Sequence, residues 1–327
     1  MNYYILYIVS MILGATGALI TKQKGYHWGL VDIPNDRSSH NMPTPKGGGI
    51  GILGAFIIVA VWGKAPIGFW APITLLALVS LLGDRQNLSV TLRLIVQMFA
   101  AILVLWVGLS PEILSIQSNL FLSVPLLIFL SIFIIGTANI YNFMDGINGI
   151  AGITGVIGFI LLAWYGMCTN SLSFIVIMCL ALVAACLGFL PFNIPKAKVF
   201  MGDVGSILLG FVFATVVAVL ANNPAEFFAL AACLFPFYAD ELTTMVVRVR
   251  DGEQLSFPHR RHMYQLLANE MGIAHWKISL GYGLCQLIVG FSAIALSKYG
   301  SITMIFLGFC FIIFIIISNQ VRKKIAT

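Results

Sequence analysis

"VFMGDVGSILLGFVFATVVAVLA", Val199 to Ala221, contains one charged residue, Asp203, followed by an unbroken apolar run. As an α-helix, the run from Gly205 to Ala221 is nearly long enough to cross the roughly 30 Å hydrocarbon core of a bilayer. Charged groups are costly inside that core. The stretch therefore predicts a membrane-spanning helix that begins beside a polar, glycine-rich turn.

The rest of the chain has the same character. Hydrophobic residues make up 60% and charged residues 9% of the 327 residues, and the mean hydropathy is +0.98. Because soluble domains carry about 25% charged residues, we predict an all-α polytopic membrane protein. Several apolar runs are short or broken by glycine, so the bundle is expected to have ten or eleven transmembrane helices. The predicted spans are Tyr3–Thr21, Gly47–Trp62, Pro66–Gly83, Leu94–Leu109, Leu120–Ile140, Gly149–Gly166, Leu172–Pro191, Gly205–Ala221, Pro224–Ala239, Ile278–Ser297 and Ser301–Ser318.

The charges divide unequally between the two sets of loops that these spans create. Sixteen lysines and arginines fall after odd-numbered spans or in the C-terminal tail, and only Lys64 and Lys298 fall on the other side. This positive-inside bias predicts a cytoplasmic C-terminus and an external N-terminus. All five histidines, and every acid except Glu112 and Glu226, share the cytoplasmic side. We therefore expect catalytic loops on that face.

Composition also narrows the class of partner. The net charge of +6 does not indicate nucleic-acid binding, because the basic residues are scattered over short loops without aromatic interleaving. Membrane lipids and phosphorylated substrates are the expected partners. The six cysteines lie in or beside apolar runs and predict no disulfide framework. Residues 1–327 are expected to form a single transmembrane domain.

Two predicted cytoplasmic loops, after the first and third spans, carry candidate phosphate or metal ligands. The glycines that open the second span permit a ligand to approach closely, but they equally permit tight helix packing. Asp84 follows the third span and is either functional, solvated or paired with Arg85. The candidate residues of the two loops are Ser38, Ser39, His40, Lys46 and Asp84.

The loop "NIYNFMDGINGIAG", Asn139 to Gly152, has no basic residue to neutralise its acid. Asn142, Asp145 and Asn148 recur every three residues, so a helix would place them on one face. The glycines favour a broken turn equally. An unpaired acid at a membrane edge is costly unless it binds a cation or polar substrate, whereas an Asp-Gly turn alone does not explain the asparagines.

Asp203 is the next candidate. A hard cation such as Mg²⁺ takes oxygen ligands, commonly one or two carboxylates with substrate phosphates. Backbone donors of a helix start lie beside it, and Lys196 or Lys198 could balance the charge. The alternative is that Asp203 only caps the helix.

The segment Tyr238 to Leu267 is the longest predicted loop and contains the densest cationic group. Its basic residues are Arg248, Arg250, His259, Arg260, Arg261 and His262. Guanidinium groups bind phosphate with two donors, and imidazole can donate to phosphate or transfer a proton. Zinc binding by the histidines and a membrane-surface basic helix are the alternatives.

The motifs "NFMDGINGIAG", "VFMGDVGSILLG" and "PHRRHMYQLL", in this order, resemble those of the polyprenyl-phosphate N-acetylhexosamine-1-phosphate transferases. The resemblance runs from about Asp32 to Gln265. The stretch "DIPNDRSSHNMPTPKGGG" resembles the branch that initiates O-antigen and related surface glycans. The implied activity is transfer of a sugar 1-phosphate from a UDP-N-acetylhexosamine to undecaprenyl phosphate at the bacterial inner membrane, with release of UMP.

The resemblance also implies roles for residues and a cofactor, Mg²⁺ or Mn²⁺. Asp203 and Asp84 would be metal ligands, and Asp84, Asp203 and His259 would be catalytic. The substrate-binding residues would be Lys46, Asn142, Asp145, Asn148, Lys198, Arg260 and His262. The expected reaction is direct attack by the lipid phosphate on the β-phosphorus, and a two-step route through an aspartyl phosphate stays open.

One departure separates this chain from the family pattern. Family members usually carry two adjacent acids after the third span, whereas Gly83 stands here at the first position. A catalytically impaired relative is therefore an alternative, and a transporter with acids near mid-bilayer is another. The sequence leaves the donor sugar, the glycan pathway and the oligomeric state open.

Overall fold

The computed structural model describes residues 3–35, 38–86, 88–108, 120–171, 173–254, 257 and 259–326. Several residues used above lie outside the described residues: Arg37, Leu109, Glu112, Leu172 and Pro258. The described chain is almost entirely helical. Its α-helices are α1 Tyr3–Trp28, α2 Ile50–Trp62, α3 Ile67–Gln86, α4 Val90–Leu103, α5 Leu120–Phe143, α6 Ile150–Cys168, α7 Ser173–Phe189, α8 Asp203–Leu220, α9 Pro224–Ala231, α10 Phe235–Arg250, α11 Met263–Asn269, α12 His275–Leu296 and α13 Gly300–Ala326.

Ten helical segments of the described residues are long and apolar enough to cross a membrane. The predicted all-α multi-pass fold is therefore confirmed. The segment predicted as the second span is a shorter apolar helix, Ile50–Trp62. Three of the ten spans are composite. A π-helical turn, Val104–Gly108, extends α4, a 3₁₀ turn, Leu190–Phe192, extends α7, and a second 3₁₀ turn, Ala232–Leu234, joins α9 to α10.

Helix α8 is the most enclosed span. In its 18-residue apolar stretch 83% of the residues are buried, whereas 11% are buried in the corresponding stretch of α13. A helix that is apolar on all sides can be surrounded by other helices. Accordingly, α8 packs against α5, α3 and α6, while α1 and α6 pack against α7. The bundle therefore holds Asp203, the first residue of α8, at the end of its most enclosed helix.

Close packing explains a glycine at the start of the second helix. A Cβ added to Gly51 would lie 2.1 Å from the backbone oxygen of Leu13 in α1. At this position the helix-packing interpretation is correct, because the backbones of α1 and α2 leave no room for a side chain.

We expect Gly51→Ala to destabilise the protein by about 1–3 kcal/mol, because a new methyl group would force two backbones apart. Gly54→Ala in the same helix is the control, since its Cβ would have the Leu13 Cδ2 atom at 3.9 Å as its nearest neighbour. Thermal unfolding in detergent measures both. Equal Tm values for the two variants would contradict this account.

Two sequence interpretations of the polar segments need correction. The predicted loop Tyr238–Leu267 is largely helical, because α10 continues to Arg250 and α11 begins at Met263. The alternative that places Asn142, Asp145 and Asn148 on one helical face is also wrong, because α5 ends at Phe143 and a turn follows. Gly146 and Gly149 favour a turn over a helix at this point, so Asp145 lies in the turn and not on the surface of α5.

Candidate functional site

Two glycine-rich segments distant in sequence are joined side by side at the start of α8. A short antiparallel pair, β1 Val31–Asp32 and β2 Thr44–Pro45, leads into Lys46, which forms a parallel bridge with Phe200. The N–H of Gly48 then donates to the Phe200 oxygen at 2.9 Å. These bonds place Lys46 beside the turn that carries Asp203.

Gly202 makes this approach possible. Its φ is +74°, a left-handed conformation that a residue with a side chain adopts only with strain. A Cβ there would lie 2.7 Å from the Gly47 nitrogen and 2.8 Å from Asp84 Oδ2. Only glycine therefore fits at position 202 without moving the neighbouring backbone.

Asp84 is buried at the end of α3 and is bonded to the start of α8. The backbone N–H of Asp203 donates to Asp84 Oδ2 at 2.9 Å, and Lys46 Nζ lies 3.5 Å from Asp84 Oδ1. The proposed pairing with Arg85 is wrong, since Asp84 pairs with Lys46 instead. A carboxylate that accepts a backbone N–H at a helix start also interacts favourably with the helix dipole. Asp84 thus fixes the position of Asp203.

The Asp203 carboxylate points toward two polar side chains from other helices. Asn142 Nδ2 donates to Oδ1 at 2.9 Å, and an Arg93 guanidinium nitrogen donates to Oδ2 at 2.9 Å. The capping alternative is wrong, because Gly202 is the N-cap residue and Asp203 is the first residue of the helix itself. Asp203 is available to a ligand at its partly exposed edge, with 21% of the side chain exposed.

The turn after α5 brings the third acid to the same place. Asp145 has no side-chain hydrogen bond or ion pair with any described residue, in contrast to Asp84 and Asp203. Burial, together with the negative charges of Asp203 and Asp84, raises the pKa of Asp145 well above its ordinary value. A cation at this position would relieve the repulsion among the three acids.

Asn193 fixes the turn against the segment that leads to α8. Its Oδ1 accepts from the Gly149 N–H at 2.5 Å, and its Nδ2 donates to the Val199 oxygen at 2.9 Å. Asn148 faces elsewhere, with its Nδ2 3.3 Å from the Pro195 oxygen. Asn193 was not predicted from the sequence, because its burial and its two backbone partners are seen only in the fold.

These elements enclose a polar cleft of about 300 Å³. Of the candidate residues predicted from the sequence, the cleft contains Ser38, Ser39, His40, Lys46, Asp84, Asn142, Asp145 and Asp203. Its remaining wall comes from the first loop, the turn after α5, the segment before α8, and α11: Asp32, Gly146, Ile147, Asn193, Phe200, Gly202 and Gln265. Asn269 Nδ2 donates to Ser39 Oγ at 3.1 Å, which connects the first loop to α11.

The remaining predicted site residues do not line the cleft: Asn148, Lys198, His259, Arg260 and His262. Lys198 is exposed. Arg260 pairs with Glu270 at 2.9 Å. The rings of His259 and His262 lie 4.7 Å apart, and His262 is buried. The late cationic segment is therefore partly built into the protein interior.

Asp240 organises this segment and was not singled out by the sequence. It is fully buried in α10, and its carboxylate accepts from the N–H groups of Met263 and Tyr264 at 2.8 and 3.3 Å. It also accepts from the hydroxyls of Tyr282 at 2.7 Å and Thr244 at 3.2 Å. Asp240 thereby caps α11 from a neighbouring helix.

His259 is not a cation at neutral pH in this structure. Burial, followed by the nearby charges of His262 and Arg248, lowers the pKa of His259 from 6.5 to about 4. Protonation therefore favours the unfolded chain, so stability is expected to fall as pH drops from about 6.5 and to level off near 4. Below about pH 6.5 the acid-dependent loss of Tm should be smaller in His259→Gln than in the original protein.

Thermal unfolding at a series of pH values tests this expectation, with His27→Gln as the control. His27 lies at the exposed end of α1, far from the His259–His262 pair. Parallel Tm curves for His259→Gln and the unmodified protein would show that His259 does not titrate in this way.

The residues around the cleft fit a hard divalent cation by the chemistry of their donor atoms. No three acidic, histidine or cysteine side chains among the described residues are placed to hold a metal by themselves. Mg²⁺ typically takes only one or two carboxylates and completes its shell with water and substrate phosphate oxygens. The partnerless Asp145, with Asp203 and the Asn142 amide, supplies suitable oxygen ligands.

Position 83 has room for the acid that the family pattern leads one to expect. A Cβ on Gly83 would have the Leu88 Cδ1 atom and the Arg93 Nε atom as its nearest neighbours, at 3.7 and 3.8 Å. A side chain there would thus extend toward Arg93. Arg93 was not predicted as a site residue, because its partner Asp203 is distant in the chain.

Fold and cleft together define a multi-pass membrane protein with a carboxylate- and amide-lined polar site at one end of its spans. Residues 66–221 match Glycosyl transferase family 4, and the chain belongs to this family, that of the polyprenyl-phosphate N-acetylhexosamine-1-phosphate transferases. Three curated relatives illustrate the similarity.

The chain is 30% identical to "Undecaprenyl-phosphate alpha-N-acetylglucosaminyl 1-phosphate transferase" of Escherichia coli, over 73% of this chain and 69% of the relative. It is 27% identical to the Thermotoga maritima protein of the same name, over 84% and 82%. It is 26% identical to "Probable undecaprenyl-phosphate N-acetylglucosaminyl 1-phosphate transferase" of Bacillus subtilis, over 96% and 90%.

Proposed function

We propose that the protein transfers an N-acetylhexosamine 1-phosphate from a UDP-sugar to undecaprenyl phosphate, with release of UMP. The observation that carries the proposal is the convergence of Asp84, Asp145 and Asp203 with Asn142 and Lys46 in one cleft. Such a site can bind a metal-associated diphosphate. The names of the relatives indicate the same kind of reaction.

In the proposed reaction, an oxygen of the acceptor phosphate attacks the β-phosphorus of the UDP-sugar. A new phosphorus–oxygen bond forms, and the bond from the β-phosphorus to the bridging oxygen breaks to release UMP. Lys46 and Arg93 supply positive charge beside the cleft. Preorganised cations of this kind stabilise charge that develops on phosphate oxygens.

Asp145, Asp203 and Asn142 would hold the metal, which we propose is Mg²⁺ or Mn²⁺. Asp84 contributes mainly by fixing the start of α8, because its oxygens face the Asp203 N–H and Lys46. When bound, the metal would supply Lewis-acid polarisation of the diphosphate. Because His259, Arg260 and His262 do not line the cleft, we propose that they support the α11 segment, where Arg260 pairs with Glu270 and His262 lies beside Asp240.

The location of the cleft supports the proposed topology. The ends of α3 and α5 and the start of α8 fall on the side predicted to be cytoplasmic. We therefore propose one transmembrane domain in the bacterial inner membrane. With the shorter helix α2 as an eleventh crossing beside the ten longer spans, the N-terminus would lie outside and the C-terminus in the cytoplasm. The product would initiate a lipid-linked surface glycan such as O-antigen.

The transporter alternative is not favoured, because the three cleft acids lie at or beyond the ends of helices rather than at mid-span. A solute pathway through the bilayer would place acids inside spans.

The experiment that tests the proposal is UMP release by purified protein with undecaprenyl phosphate, Mg²⁺ and a panel of UDP-N-acetylhexosamines. Release that requires the lipid, one donor and the metal, and that stops with chelator, is expected. Folded protein that releases no UMP with any donor would contradict the proposal. Gly83→Asp distinguishes an impaired enzyme, because restored release in this variant would identify the missing acid as the cause.

A further inference from the structure

A second cavity, of about 370 Å³, lies where α10, α11 and α13 meet. We call it the basic groove. Four of its lining residues are cationic, three are aliphatic and none is acidic: Val247, Arg250, Arg261, Leu266, Arg322, Lys323 and Ile325. A cavity with this lining suits a ligand that has both a negative charge and an apolar part.

Arg322 is the fixed cation of the basic groove. Its guanidinium donates to the hydroxyls of Thr244 at 3.0 Å and Ser318 at 3.4 Å. No carboxylate among the described residues forms an ion pair with it, although its side chain is partly buried. Two neutral hydroxyls thus orient this positive charge, and the carboxylate of Asp240, which accepts from Thr244 at 3.2 Å, acts on it only across that hydroxyl.

The other arginines are partly neutralised from outside the groove. Arg261 forms ion pairs with Asp251 and Glu253, and Arg250 lies 3.4 Å from Asp251. The Arg250 side chain is 73% exposed, so its ion pair with Asp251 lies at the surface and neutralises its charge only in part. The groove as a whole therefore keeps an excess of positive charge.

The apolar side of the groove continues into surfaces that face the bilayer. On α10, Val246 and Val249 are 67% and 61% exposed, and on α13 Ile316 is 51% exposed. A free phosphate ion would use only the cationic side. A lipid would place its headgroup among the arginines and its acyl chains along these helices.

The basic groove is separated from the cleft by α11. Gln265 lines the cleft, whereas the next residue, Leu266, lines the groove. A phosphate held in the groove therefore lies across a helix from Asp203 and cannot react there. We propose that the basic groove binds an anionic phospholipid of the bilayer as a resident ligand, distinct from the acceptor lipid.

The proposal predicts that lipid binding stabilises α11 and the segment before it, because α11 and the adjoining Arg261 both line the groove. Purified full-length protein in neutral detergent would be titrated with phosphatidylglycerol, phosphatidylcholine, inorganic phosphate and undecaprenyl phosphate. Native mass spectrometry would count bound lipid, and the Tm would report stabilisation. Neither measurement depends on catalysis, so failure of the proposed enzymatic function would not affect the test.

We expect one phosphatidylglycerol to bind and raise the Tm, with little effect of phosphatidylcholine. Arg322→Gln should weaken binding by roughly fivefold, as expected for one interfacial cation. Arg250→Gln, at an exposed position that is not needed for folding, should act in the same direction. Lys24→Gln is the control, because Lys24 is an exposed cation on the same face outside the groove.

Three results would overturn the proposal. Equal effects of Arg322→Gln, Arg250→Gln and Lys24→Gln would indicate only general attraction to a charged surface. Displacement of the lipid by inorganic phosphate would assign the groove to a free anion. One-for-one displacement by undecaprenyl phosphate, with no preference for phosphatidylglycerol, would assign it to the acceptor.

Discussion

Replacing Asp203 by asparagine is expected to lower UMP release by about 10²–10³-fold, the usual cost of losing one preorganised electrostatic group at a reacting centre. The substitution keeps the shape of the side chain but removes a negative charge that faces Asn142 and Arg93. Metal affinity should fall as well, because an amide is a weaker ligand than a carboxylate for a hard cation.

Two measurements check this expectation. Steady-state UMP release gives the change in kcat, and titration with Mn²⁺ monitored by electron paramagnetic resonance gives metal affinity independently of turnover. Glu226→Gln is the control, because Glu226 lies at the start of α9, at the opposite end of the spans from the cleft. Full metal-dependent turnover in Asp203→Asn would show that Asp203 is not a metal ligand.

The largest effect on stability is expected from Asp240→Ala. Truncation would leave four donors without their acceptor: two backbone N–H groups at the start of α11 and the hydroxyls of Tyr282 and Thr244. A buried donor left without an acceptor costs about 1–3 kcal/mol, so the loss of one acceptor shared by four donors should cost several times that of a single exposed contact. The start of α11 should loosen, and with it the cleft wall that contains Gln265.

Thermal unfolding and limited proteolysis between α10 and α11 would measure this loss. Asp251→Ala is the matched control, because Asp251 is a nearby acid on the protein surface that pairs with Arg261. Exposed ion pairs contribute little to stability, so its Tm should change little. A similar Tm for the two variants would mean that Asp240 does not organise the segment.

The sequence predicted the membrane-spanning class well because hydrophobicity and length are local properties of the chain. The polar turns at Asp145 and Asp203 were also recognisable, since an isolated acid beside glycine contrasts with its apolar surroundings. The boundary at Arg250 was missed because the polar residues of α10, including Asp240, interrupt the apolar pattern while lying inside the protein. Composition alone cannot distinguish a buried acid from a loop acid.

The partners of the polar residues were harder to predict. Asp203 has three hydrogen-bond partners that are far away in the chain. Its N–H donates to Asp84, and its carboxylate accepts from Arg93 and Asn142. A single sequence does not specify which helices are neighbours. In the structure His262 Nδ1 lies 3.9 Å from Asp240 Oδ1, and the His259 ring lies 4.7 Å from the His262 ring. The role of the two histidines toward the reacting phosphates stays a prediction.

The position of Asp203 at the start of the most enclosed helix has a consequence for how the protein can vary. Because α8 is packed against several other helices, Asp203 can move only if those helices move with it. Helix α13 is the least buried of the ten spans, with 11% of the residues in its apolar stretch buried, so few neighbours fix its position. The thickness and composition of the surrounding bilayer should therefore act mainly on α13 and affect the surroundings of Asp203 little.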